Sequence, residues 1–247
     1  MGDWINNAAK FEVVQYVGNV LASNSNSIIR VIDVGAGTGG NWDQLVQQHP
    51  NLELHLWEPY AQSFQILKKR FANSGVFVHQ DITKVALEFD VVVSLSVLEH
   101  VSDRASHFHV VHRLLKSNGI YICVVDDGHF RYFSRNIISM IAIKEQWRTL
   151  MSKLLGARYS IGRYQSKLTT EDLLKLIKGY EFELERIDYR NLPEMKSLIK
   201  ELDTHEEKFR FAQIWLELEI EMNRLLAGKS FVLEKTFPCR IAYMRKK

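Results

Sequence analysis

The residues able to do chemistry in this chain gather at the ends of strand-like runs. The first group is Asp33-Val34-Gly35-Ala36-Gly37-Thr38-Gly39-Gly40, where an apolar, β-branched run passes into a glycine-rich turn. Glycine reaches backbone dihedrals that other residues avoid and lets the chain approach a ligand closely. In an open parallel sheet a ligand sits beyond the carboxyl ends of the strands. Taken alone, the same turn can be a tight strand-to-helix connection. The second group is Glu58-Pro59, which closes the run Leu54–Glu58 and lies 25 residues beyond Asp33. A carboxylate there can accept hydrogen bonds from both hydroxyls of a ribose, or simply face solvent. The third is Asp81-Ile82: an acid able to accept from an adenine amino group beside a backbone able to read the ring edge, or else a cap.

Two histidines stand at the same edge. His100 follows the fourth run, Phe89 to Leu95, and His129 lies in Asp126-Asp127-Gly128-His129-Phe130 just past the fifth. Imidazole titrates near neutral pH, so either can take a proton from an acceptor hydroxyl; each can also be a loop residue with a structural hydrogen bond. Asp126 and Asp127 either orient a substrate, act as a base or cap the next segment. His107, His109 and His112 read as surface or partly buried positions of one helix. They lack the His-Glu-x-x-His spacing of a zinc site, and no metal is expected.

These groups require a particular scaffold. Runs at Ile28–Val34, Leu52–Trp57, Val76–His79, Phe89–Leu95 and Ile120–Val125 suit strands buried on both faces. Helical patterns at Asp43–Gln48, Ala61–Ala72 and Arg104–Leu115 separate several of them, and such alternation implies a doubly wound α/β sheet. An amphipathic helix is expected over 3–22 and a long helix over 134–155. Another starts at Thr169-Thr170-Glu171-Asp172 and stops at Gly179. Phe182–Tyr189 reads as a strand, 194–227 as one or two helices, and Phe231–Arg245 as one or two strands, the last near Arg240–Met244.

In order and spacing, these pieces, with Val97-Leu98-Glu99-His100-Val101 and the turn Leu115-Lys116-Ser117-Asn118-Gly119, resemble the Rossmann-like S-adenosylmethionine-dependent methyltransferases. The Val-Leu-Glu-His-Val element is similar to that of the ubiquinone-biosynthesis type of O-methyltransferase. The resemblance covers about residues 28–126. It implies a Rossmann-like α/β fold: a seven-stranded, mostly parallel sheet with helices on both faces, and helical insertions after strand 5 and between strands 6 and 7. It implies a single methyltransferase domain over 1–247, with a cofactor-binding core at 28–126, a basic helical lid at 130–178 and an insertion at 194–227. It also implies that Asp33, Gly35, Ala36 and Gly37 cradle the methionine end of the cofactor S-adenosyl-L-methionine. Glu58 with Pro59 would hold the ribose and Asp81 with Ile82 the adenine, while Ser94 and Leu95 would contact the amino acid moiety. The family's usual Leu-Lys-Pro-Gly-Gly is altered here to Leu-Lys-Ser-Asn-Gly.

Composition bounds the rest. The chain has 247 residues, 46% hydrophobic and 25% charged, with a net charge of +3, which fits a globular protein and does not by itself imply nucleic acid or membrane. The charge is uneven. Residues 130–168 carry Arg131, Arg135, Lys144, Arg148, Lys153, Arg158, Arg163 and Lys167 against Glu145 alone. This segment reads as a lid greeting an anionic substrate through Arg131, Tyr132, Arg135 and Arg163, as an amphipathic helix on an anionic membrane surface, or as a packed helix with a solvated basic face. The insertion at 194–227 either covers the site or forms a homodimer surface. Cys123 and Cys239 lie in apolar runs without metal spacing, as expected for a reducing cytoplasm. Met1–Asn7 shows no basic-then-apolar signal pattern. The function favoured is O-methylation of a small-molecule or glycan acceptor. An RNA or protein methyltransferase remains an alternative, although Ser94-Leu95-Ser96-Val97 stands where nucleobase N-methylation would call for Asn/Asp-Pro-Pro-Tyr/Phe. A nicotinamide oxidoreductase leaves Asp81 and the Leu-Glu-His-Val element without a role. A non-catalytic cofactor- or partner-binding domain is the alternative of another class.

Overall fold

The computed structural model describes residues 3–128 and 166–247. His129, Arg131, Tyr132, Arg135, Arg163 and the helix expected at 134–155 lie outside the described residues. Seven strands form one sheet: β1 (Ile29–Val34), β2 (Leu52–Trp57), β3 (Phe77–His79), β4 (Phe89–Leu95), β5 (Leu115–Asp126), β6 (Phe182–Arg190) and β7 (Cys239–Lys246). Their order is β3-β2-β1-β4-β5-β7-β6. The first five run parallel, while β7 lies antiparallel between β5 and β6. The Rossmann-like α/β fold expected from the sequence is therefore present. Because β1 sits between β2 and β4, the chain reverses direction of winding there, and the resulting crevice lies beyond the carboxyl ends of β1 and β4.

Side chains alternate across this sheet. Val31, Val91, Val93, Ile122, Val124, Ile241 and Tyr243 bury one face; Ile32, Val34, Val92, Tyr121, Cys123, Val125, Ala242 and Met244 bury the other. Helices cover both. On the first face lie α1 (Ala8–Ser23), α2 (Asp43–Gln48) and α3 (Ala61–Arg70), which contribute Phe11, Val14, Leu45 and Leu67. On the second lie α4 (Arg104–Leu114) and α5 (Thr170–Gly179), with Phe108, Val111, Leu173 and Ile177. Each fully buried aliphatic or aromatic side chain is worth ~1.5–3 kcal/mol. Between β6 and β7 come α6 (Pro193–Leu198), α7 (His205–Leu225) and α8 (Ser230–Thr236). No helix among the described residues is long and apolar enough to cross a membrane.

Two local expectations are corrected. The helix expected over 3–22 is broken: Asp3–Asn6 is a 3-10 turn, and Asn7 starts α1 anew by accepting from the Lys10 amide. The start of the run Phe231–Arg245 is helix α8, not strand, because Leu233 alone of Ser230–Thr236 packs inward. The one or two helices expected over 194–227 are present as α6 and α7, and a capping box between Thr204 and Glu207 opens the second.

Several polar side chains are buried at one joint. Glu219 on α7 accepts from the amides of Asn191 (3.0 Å) and Leu192 (2.6 Å) and from the Trp215 indole (2.6 Å). Asn191 in turn reaches Asn7 and the Ala9 amide. Arg190, 2% exposed, bonds Glu12 at 2.6 Å, and Tyr243 donates to the same carboxylate. The start of α1, the end of β6 and the middle of α7 are thus fixed to one another.

Candidate active site

A groove of about 590 Å³ opens at the carboxyl edge, lined by residues from four successive connections: Gly35 and Gly37 after β1, Glu58, Pro59 and Tyr60 after β2, Ile82 after β3, and Ser96, Val97 and His100 after β4. The first α4 turns close it with Ser106, His107 and Val110.

Its floor is the glycine turn. Gly35 and Ala36 both donate to the Trp57 carbonyl at 2.9 Å, so the turn is laced to the neighbouring strand. Gly35 has φ +93, and a Cβ there would lie 2.7 Å from Val97 Cγ2. Gly37 has φ +59, and a Cβ there would meet nothing within 4 Å. Only glycine enters this region without strain: Gly35 is needed for close packing, Gly37 for a bare opening.

Glu58, 4% exposed, holds the wall. One carboxylate oxygen accepts from the Gly37 amide (2.8 Å), the other from the Tyr60 amide (2.9 Å). Burial pushes its carboxyl up, opposed by those two amides. Each oxygen keeps a second acceptor position.

Other residues named from the sequence are placed differently. Asp33 is fully buried beneath the turn: it accepts from the Trp42 indole at 2.8 Å, and its other oxygen has no partner. Burial raises its pKa to about 7. Asp81 is not among the residues that line the groove; it caps the turn Ile82–Lys84 through Thr83, and those bonds lower its pKa. Ser94 is buried and shares a 2.6 Å hydrogen bond with the Tyr121 hydroxyl, and Leu95 is 5% exposed. The chain after β4 faces the groove through Ser96, held at φ 60, and Val97.

His100 lines the groove, its amide donating to the Val97 carbonyl at 2.8 Å. His107 is more buried than the surface or partly buried position expected of it. It is 8% exposed, lines the groove and meets the Tyr121 hydroxyl at 3.2 Å through Nε2; burial lowers its pKa to about 4. His109 is exposed and His112 half-buried. Helical spacing alone could not separate these three, since only packing against Tyr121 distinguishes His107.

Beside His100 lies an acidic corner that the sequence reading names only in part. Asp126 and Asp127 end β5 and follow it, and both are nearly buried. Asp126 accepts from Gly128 (2.8 Å) and lies 3.5 Å from Lys196 of α6. Asp127 is held by Arg240, which also bonds Thr170 and the Leu168 carbonyl; burial raises its carboxyl, with Arg240 opposing. Between these groups and His100 stands Glu99, 1% exposed. One of its oxygens accepts from the Asp126 amide at 3.3 Å and the other has no partner. A Glu in the Leu-Glu-His-Val element gives no sequence signal of its own; its burial against Asp126 does. Among the described residues no group of side chains could hold a metal ion.

Residues 32–121, just over a third of the chain, match the family model of a methyltransferase domain. No curated protein sequence matches the chain. Solved structures share its fold. A putative sarcosine dimethylglycine methyltransferase from Galdieria sulphuraria aligns with TM-score 0.57 at 13% identity, over 96% of this chain and 86% of that one. Magnesium protoporphyrin IX methyltransferase from Synechocystis, with bound S-adenosylhomocysteine, aligns at TM-score 0.51 and 13% identity, over 96% and 81%. Geranyl diphosphate C-methyltransferase from Streptomyces coelicolor, also with S-adenosylhomocysteine, aligns at TM-score 0.54 and 11% identity, over 94% and 79%.

Proposed function

We propose that this protein, whose residues 32–121 match a methyltransferase domain, is an S-adenosylmethionine-dependent methyltransferase that transfers the methyl group to a small-molecule acceptor held over the carboxyl ends of β4 and β5. One observation carries the cofactor placement: Gly37 leaves open space in the groove directly beside the Glu58 carboxylate. The residues fit the group. A bare turn admits the amino acid end, Glu58 has acceptor positions for ribose hydroxyls, and Ile82 offers an apolar edge for the base. The sulfonium supplies an already activated methyl carbon. The chain's own work is to align the acceptor, exclude water and take up a proton, and alignment alone can contribute on the order of 7–11 kcal/mol in ideal cases.

A hydroxyl acceptor, the chemistry favoured from the sequence, would use His100 as base, since His100 is among the residues lining the groove. The anionic-substrate lean rests on Arg131, Tyr132, Arg135 and Arg163 and stays a proposal, as does a contribution of His129. The three solved relatives act, by name, on an amino acid, a porphyrin and a prenyl diphosphate, which supports a small molecule over a macromolecule. Two buried free thiols suit a reducing cytoplasm.

Calorimetry with S-adenosylhomocysteine tests the reading. A saturable heat is expected, weakened about 10-fold or more by Glu58→Ala, which removes charge-assisted acceptors. No heat well above micromolar concentration would refute it.

A further inference from the structure

Helix α7 carries apolar residues on two opposite faces, and the fold of one chain uses one of them. Ala212, Trp215 and Leu216 are buried against the body of the molecule, and Glu219 ties the same face to the amides of Asn191 and Leu192. The opposite face presents Ile214, 57% exposed, Leu218, 42% exposed, and Leu225, 69% exposed, with Phe211 half-buried at its margin. Positions 211, 214, 218 and 225 fall on the first and fourth places of successive heptads, the seam along which two helices pair. Single apolar side chains on a surface are ordinary, whereas a contiguous stripe marks a contact surface. The inner face already fixes α7 to α1 and β6, so the stripe is held ready for a partner without further ordering.

Charge says what the stripe pairs with. One residue before each first place of the heptad stand Asp203, Arg210, Glu217 and Arg224, all exposed, and their signs alternate along the edge of the stripe. Arg224 is paired within the helix to Glu221. Arg210 and Glu217 are in no ion pair among the described residues, and seven residues of helix, roughly 10 Å of rise, keep them apart in one copy. A partner of a single charge would meet a repulsive residue at every second place. An antiparallel copy of the same helix meets none. With a two-fold axis beside Gln213 and Ile214, Arg210 comes opposite Glu217 of the partner subunit, and Glu217 opposite the partner's Arg210. The same register sets Asp203 opposite the partner's Arg224, and Phe211 opposite the partner's Ile214. Such a patch is complementary to itself, as a closed two-fold contact requires. We infer that the outer face of α7 is a homodimer surface, on which two copies of this chain pair antiparallel, with the charge ladder setting direction and register. The inference stands apart from the methyltransferase reading, since none of its residues lines the groove.

The test is sedimentation velocity of the whole chain from about 1 to about 100 μM. Dimer mass is expected at the top of that range, giving way to monomer on dilution. Ile214→Glu places a charge at the centre of the seam and is expected to weaken the dimer about 100-fold or more, with Tm unchanged because the side chain is exposed in one copy. Arg210→Glu sets like charges opposite each other at both ends and should weaken it about 10-fold. Adding Glu217→Arg reverses the ladder as a whole and should return the affinity to within about threefold of wild type. A wild-type chain that stays monomeric throughout the range overturns the inference, whether solvent or the chain itself covers the stripe. A dimer unmoved by Ile214→Glu overturns it too, since assembly then uses another surface. Failure of the double reversal to restore affinity overturns the antiparallel pairing on which the choice of partner rests. The wild-type mass needs no variant, so a poorly folding substitution would not shield the inference. Binding of S-adenosylhomocysteine, measured on the same samples, bears on the methyltransferase reading alone.

Discussion

Gly37→Arg should abolish cofactor binding while leaving the fold in place, and Gly75→Arg is its internal control. Both glycines have positive φ, +59 and +75, and an added Cβ at either would meet nothing within 4 Å. The backbone cost is therefore alike: about 1–2 kcal/mol for an ordinary residue in the left-handed region, against a total stability of about 5–15 kcal/mol. For a domain of this size that lowers Tm by about 2–8 °C, and both variants stay folded at 25 °C. Only Gly37 faces the groove; Gly75 sits in the turn before β3. An arginine at 37 stands in the space the cofactor would use and should weaken S-adenosylhomocysteine about 100-fold or more, near 2.7 kcal/mol. Thermal denaturation and calorimetric titration of the two variants supply the comparison. Equal affinities in the two, with equal Tm losses, would refute the assignment of the groove.

Asp33→Asn should flatten the dependence of stability on pH. The buried Asp33 carboxyl titrates near 7 when folded and near 3.8 when unfolded, so the folded chain keeps a proton that the unfolded chain releases. Stability from this group is present below pH ~4, falls as pH rises to ~7 and is level above, with an amplitude on the order of a few kcal/mol. Urea midpoints at pH 4.5 and 8 should differ less in Asp33→Asn than in wild type; equal differences would contradict the buried-acid account. Arg240→Met leaves Asp127 buried without its cation and should cost about 3–5 kcal/mol. Adding Asp127→Asn should restore part of the loss in the same melts, and no recovery would show that the pair is not what matters. Tyr121→Phe removes the hydroxyl joining Ser94 and His107 and should cost about 1–3 kcal/mol; an unchanged urea midpoint would dismiss that bridge.

Much of the scaffold was legible because apolar runs with sharp ends leave few readings. Leu52–Trp57 and Phe89–Leu95 coincide with β2 and β4, and Thr169 starts α5 through the side-chain cap its spacing to Asp172 suggests. What failed was local and had a cause. Asn7 sits inside a helical pattern yet caps a new helix, a choice made by its contact with Asn191 some 184 residues away. Ser230–Thr236 carries β-branched and aromatic residues, but tertiary packing of Leu233 overrides that tendency. For the site, the sequence names the right strand ends and cannot say which way side chains turn. Asp33 and Ser94 close strands of the groove yet point into the core, while Gly37 and Glu58 face the opening. Glu99 became visible only through its place against Asp126, which depends on how far β5 extends past β4.

The placement of β7 sets the order in which the molecule can be completed. Among the described residues β6 has β7 as its sole neighbour in the sheet, so residues 182–190 have no sheet partner until residues 239–246 are made. During synthesis β5 and β6 would each present a bare ladder of amides and carbonyls, the kind of edge that recruits other chains. A ribosome stalled before the last eight strand residues would hold a cofactor pocket already formed beside an open seam, and exposure to aggregation would be greatest in that interval.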